Sequence, residues 1–133
     1  MTGQTYVSHA DLGGTTGHGP IEPEPEGVVF HHDWQAKALA LTLAAGASGR
    51  WNIDMSRRFR ETLPDYADLT YYEIWTASLQ RLLVERGLIT DAELAGGHAL
   101  VEPAEVAGVL TADRVAATLA RGGPAAREPS APA

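Results

Sequence analysis

From Asp33 to Gly87 apolar residues recur at intervals of three and four, and nowhere does the 133-residue chain alternate apolar with polar as a half-buried strand would. That pattern predicts an all-α fold. His32 or Asp33 caps a first helix running to about Ala45, with Trp34, Ala38, Leu41 and Ala45 on one stripe, Leu39 and Leu43 widening it, and Gly46 and Gly49 ending it. So wide an apolar surface predicts burial on several sides. Asn52 caps a second helix through Leu63, stopped by Pro64, with Ile53 and Phe59 as core contacts. Tyr72, Trp75, Leu79, Leu82 and Leu83 define a third, which Gly87 terminates. Thr90-Asp91-Ala92-Glu93 has the form of a capping box opening a short fourth helix, and Thr111 can cap a last one ending at Gly122-Gly123.

The flanks are different in kind. Residues 1–27 carry Gly13-Gly14, Gly17, Gly19-Pro20 and a Glu-Pro alternation from Glu22 to Glu26. Glycine frees the backbone and proline removes hydrogen bonds, so this stretch is expected to be an extended arm that lies on a partner subunit. Residues 122–133 have almost nothing to bury and read as a disordered tail. Residues 28–121 remain as one small helical domain. A formal net charge of −7, from 17 acids and 10 bases, argues against nucleic acid as a partner. The chain has no cysteine, which excludes disulfides and thiolate metal ligation by its own residues. It has no apolar run of membrane-spanning length and no signal-peptide pattern, so a cytoplasmic protein away from any membrane is expected.

Few side chains suggest chemistry unaided. His9, His18, His31, His32 and His98 form no H-x-x-x-H pair and read as surface or helix-capping residues. The glycines around Thr15 and Thr16 lack the lysine of a phosphate loop. Arg57, Arg58 and Arg60 on a short helix read by themselves as a solvated basic face. Tyr71 and Tyr72 diverge by about 100° on a helix, so Tyr72 can join the core stripe while Tyr71 keeps its hydroxyl available. Trp34 and Trp75 both fall on core stripes.

Taken together, LGGTTGHGP (12–20), the F-x-x-x-W of Phe30 to Trp34, WNIDMSRRFRE (51–61), YYEIW (71–75) and LLVERGLIT (82–90) resemble the N-terminal half of the nitrile hydratase β subunit over residues 11–101. The resemblance implies a non-metal-binding subunit of a heteromer that hydrates a small nitrile to its amide. The low-spin Co(III) or Fe(III) ion, with cobalt favoured, would be held by the α subunit's cysteines. By the same resemblance Arg57 contacts the oxidised cysteine ligands, which suits a planar guanidinium fork. Tyr71 lies at the subunit interface beside the substrate pocket, and Tyr72, Trp34 and Trp75 support both through packing.

Typical family members continue into a β-rich C-terminal domain that supplies a second arginine. The expectation is that a separate polypeptide carries it here, as in proteins similar to toyocamycin nitrile hydratase and thiocyanate hydrolase. Two different readings stay open by the same resemblance, a thiocyanate hydrolase-type subunit and an accessory protein that assists metal insertion into the α subunit. The DLGGTTGHGP arm and the absence of cysteine favour an enzyme subunit over the accessory protein.

Overall fold

A computed structural model describes residues 6–122; the expected tail lies almost wholly outside the described residues. Among the described residues five α-helices follow one another: α1 (Asp33–Gly46), α2 (Ile53–Glu61), α3 (Tyr71–Glu85), α4 (Asp91–Gly96) and α5 (Val115–Leu119), with 3-10 turns at Tyr66–Asp68 and Ala112–Arg114. Among the described residues there is no strand, as the all-α reading expects.

Local chemistry sets most of the helix ends. Asn52 Oδ1 accepts from Met55 N at 2.9 Å and starts α2. Thr70 opens α3, where Glu73 reaches back to accept from Thr70 N at 2.7 Å. Gly87, at φ 71°, ends it, and Leu88 N donates to Leu83 O at 2.9 Å across the turn. Thr90 and Glu93 form the expected capping box. The Glu93 carboxylate also accepts from Leu100 N at 2.9 Å and Val101 N at 3.2 Å. Those backbone donors, Leu100 first, together with Thr90, lower its pKa to about 2.

α3 is the centre of the fold and packs against both α1 and α2. Its Ile74, Leu79 and Leu82 are buried with Ala38 of α1, Phe59 of α2 and Leu63 just beyond it. Arg81 ties α3 to α2 by donating to Phe59 O at 3.0 Å, with its guanidinium 5.0 Å from the centre of the Phe59 ring. The loop after α4 is fastened to the body by Arg50, which donates to Glu105 O at 2.5 Å. It also passes so close to α1 that a Cβ on Gly108 would collide with Ala47 O.

Several expectations are corrected. α1 is not buried on several sides: it packs on α3 through the side carrying Gln35 and Ala38, and Leu41 and Leu43 are exposed. Trp34 is 41% exposed rather than in the core. Ile53, 58% exposed, is likewise no core contact, because it stands on the first turn of α2 while Phe59 faces α3. α2 ends at Glu61, before Leu63, and the helix expected from Thr111 to Gly122 is only a 3-10 turn followed by α5. In residues 6–27 there is neither helix nor strand, but the segment is not free of the body. Tyr6 donates to Glu61 Oε2 at 2.9 Å, His9 N donates to Glu61 O at 2.7 Å, and Glu24 pairs with His31 at 2.9 Å.

Candidate functional site

The cap at Asn52 fixes the rotation of α2, and with it the directions of its three arginines. Arg57 and Arg60, three residues apart, share the face turned toward the start of α3. Arg58 lies on another face, beside Tyr6 of the arm at 5.9 Å. The Arg60 guanidinium sits 4.6 Å from the centre of the Trp75 ring and donates to Ser56 Oγ at 3.0 Å. Burial pushes its pKa below the ordinary value; Tyr71 opposes that shift and Arg57 adds to it. A guanidinium stays charged through such a change. Arg57 is exposed, and among the described residues its side chain makes no hydrogen bond or ion pair.

Facing the arginines is the first turn of α3. Tyr71 is its first residue and stays 64% exposed, whereas Tyr72 turns inward toward Phe30, ring centres 5.5 Å apart. The Tyr71 ring meets Tyr72 edge-on at 5.0 Å and lies 5.8 Å from Trp75; Tyr72 lies 6.0 Å from Trp75. This stack carries the Tyr71 ring while leaving its outer surface accessible.

Two grooves result, separated by Tyr71. The smaller, about 160 Å³, is lined by Arg57, Arg60, Tyr66, Tyr71 and Trp75. The larger, about 750 Å³, is lined by Trp34, Tyr71 and Tyr72 with His31 and His32. The fold thus brings Arg57, Tyr71 and Trp75 into one groove and puts Trp34 and Tyr72 in the next. Sequence reasoning missed Arg60 and Tyr66 as walls of the smaller groove. The i, i+3 spacing of Arg57 and Arg60 was the available signal for the first; for Tyr66, held by a 3-10 turn, no periodicity existed.

Among the described residues no group of three or more His, Cys, Asp or Glu side chains could hold a metal ion. The smaller groove offers a free guanidinium and phenol hydroxyls at an exposed surface. Such donors hold oxygen atoms that another surface presents. No helix among the described residues is long and apolar enough to cross a membrane.

Fold and site together define a helical module with a cationic, aromatic surface exposed at the start of α3. The chain belongs to the family of nitrile hydratase β subunit N-terminal regions, whose model matches residues 7–122. It is 38% identical over 91 residues to the nitrile hydratase subunit beta of Pseudomonas putida, covering 67% of this chain and 42% of that protein. It is also 38% identical over 86 residues to the low-molecular weight cobalt-containing nitrile hydratase subunit beta of Rhodococcus rhodochrous, covering 63% and 38% respectively. A nitrile hydratase subunit beta from a Rhodococcus species is 36% identical over 86 residues, covering 63% and 37%. The chain therefore matches about two fifths of the length of these relatives.

Proposed function

We propose that this chain is the part of a nitrile hydratase that lends Arg57 and Tyr71 to a metal centre carried by an α subunit, and that the assembly hydrates a small nitrile to its amide. The observation that carries the reading is the convergence of Arg57 and Tyr71, from different helices, on one exposed groove in a chain of this family. Among the described residues no cluster of His, Cys, Asp or Glu fits as a metal ligand set. Arg57 and Tyr71 fit as hydrogen-bond donors to oxygen atoms on a partner's ligands. A relative named as cobalt-containing supports Co(III) over Fe(III) in that partner. When bound there, the ion supplies Lewis-acid activation.

This chain's share of the work is positioning. Arg57 presents two parallel N–H donors to the oxygens of the partner's oxidised cysteines and holds their orientation. Tyr71, its ring seated on Tyr72 and Trp75, directs a hydroxyl toward the nitrile. Arg60 on Trp75 fixes the wall behind Arg57, and Trp34 extends the aromatic surface on the far side of Tyr71. The arm before Val28, whose residues 6–27 hold neither helix nor strand, lies along the α subunit. The remainder of the relatives' length corresponds to the β-rich portion that completes the enzyme, on this chain or on a separate one.

Co-expression with a nitrile hydratase α subunit and a β-rich C-terminal portion tests this. Expected is a co-purifying, metal-containing complex that converts acetonitrile to acetamide, with no conversion when this chain is omitted. Failure to associate would overturn the reading, as would association that raises the metal content of the α subunit without any hydration by the complex.

A further inference from the structure

The arm, α2 and the C-terminal half of α3 enclose another cleft, of about 390 Å³, on the side of α2 that carries Arg58 rather than Arg57. Three arginines line it, Arg58, Arg81 and Arg86, together with His9; Glu85 is the one acid on its walls. Arg81 already donates to Phe59 O and Thr62 Oγ1. Of the other two, Arg58 is exposed and lies over the Tyr6 ring. Among the described residues neither Arg58 nor Arg86 makes a side-chain hydrogen bond, and Arg86 Nε is buried with no acceptor. Among the described residues Glu85 comes within ion-pair distance of neither.

A buried charged donor without an acceptor is costly, and native proteins rarely leave one so. The groups that best answer a cluster of guanidiniums are planar or tetrahedral oxyanions, whose oxygens match the donor fork. One wall of the cleft is the arm itself. His9 N and Ala10 N both donate to Glu61 O, at 2.7 and 3.3 Å, and the Tyr6 ring lies under Arg58 at 5.9 Å. An anion seated there touches arm and helices at once.

We propose that this cleft binds an oxyanion, a phosphate or a carboxylate group, and that its occupancy clamps the arm onto the helical body. The site lies apart from the Arg57 groove and does not depend on the catalytic reading.

Titration of the full chain with inorganic phosphate, followed by backbone amide NMR and hydrogen exchange, tests it against sodium acetate and against sodium chloride at matched ionic strength. Expected are saturable shifts at residues 6–10, 55–62 and 81–86, with a midpoint on the order of 1 mM, and slower exchange at His9 and Ala10. Arg58→Gln, at an exposed position, should weaken binding at least about tenfold, the loss of one charge-assisted contact. Arg114→Gln, which removes a charge outside the cleft, should not. Saturation by phosphate alone identifies a free phosphate-type anion; saturation by acetate, with or without phosphate, identifies a carboxylate such as a partner protein presents. Shifts that fail to saturate, that sodium chloride reproduces, or that survive unchanged in Arg58→Gln would mean an adventitious ion only and would overturn the proposal.

Discussion

Arg57→Lys is the substitution that bears most directly on the proposed role of the smaller groove. The native guanidinium is exposed and has no intramolecular partner among the described residues, so replacing it should change folding stability by no more than about 0.5 kcal/mol. Lysine keeps the charge. What it loses is the fixed fork, leaving a single ammonium that can answer one of two oxygens well. A hydrogen bond involving a charged group contributes about 1.5–3 kcal/mol. Losing one from the organisation of the reactive centre therefore predicts a fall in turnover of about 10- to 100-fold. The assay is hydration of acetonitrile by assembled complexes of matched metal content, with Arg114→Lys as a charge-preserving control. Full activity in Arg57→Lys would refute the reasoning, since a point charge would then suffice. So would an equal loss in the control, which would point to a general effect of altering arginines.

Tyr71→Phe should lower turnover while shifting thermal stability little, because the ring contacts with Tyr72 and Trp75 survive and only an exposed hydroxyl is lost. Tyr72→Ala should do the reverse, removing the ring between Phe30, Tyr71 and Trp75 at about 2–4 kcal/mol, readable by urea denaturation. Glu93 predicts an acid-labile region: its carboxyl titrates at about 2 when folded against an ordinary 4.5, so its stabilisation is complete above the ordinary value and fades as pH falls from about 4.5 to about 2. Amide exchange of α4 and of Leu100 and Val101 should accelerate across that interval, and Glu93→Gln should remove the dependence. Gly108→Ala should destabilise by about 1–3 kcal/mol, since the added methyl meets Ala47 O and that meeting is with backbone; an unchanged melting temperature would show that the loop does not sit against α1.

How much was legible depended on whether the determinant was local. Asn52, the Thr90 box and the Gly87 stop are set by groups within a few residues, and each is where the sequence pattern indicates. The division between Tyr71 and Tyr72 follows from helical rotation alone, and the exposures agree with it. The tethering of the arm could not be read in this way. The carbonyl of Glu61 receives His9 N, and its carboxylate receives the Tyr6 hydroxyl, across a sequence separation that no periodicity spans. The seating of Arg60 on Trp75 has the same character, being a contact between helices whose rotation had first to be known.

The misplaced residues share a direction. Trp34, Leu41 and Ile53 were each expected to be buried on grounds of period and hydrophobicity, and each is exposed. A helical stripe records where apolar side chains are spaced for burial, but not whether the covering surface belongs to the same chain. In α1 the side carrying Gln35 and Ala38 meets α3, while Leu41 and Leu43 face outward. Trp34 at the start of the same helix borders the groove that Tyr71 shares. Exposed apolar side chains scattered singly would mean little. Here Trp34 and Leu41, seven residues apart, share one face of α1, and Trp34 borders the groove on the far side of Tyr71 from Arg57. Periodicity therefore overstates burial within the described residues, and at Trp34 it does so next to Tyr71.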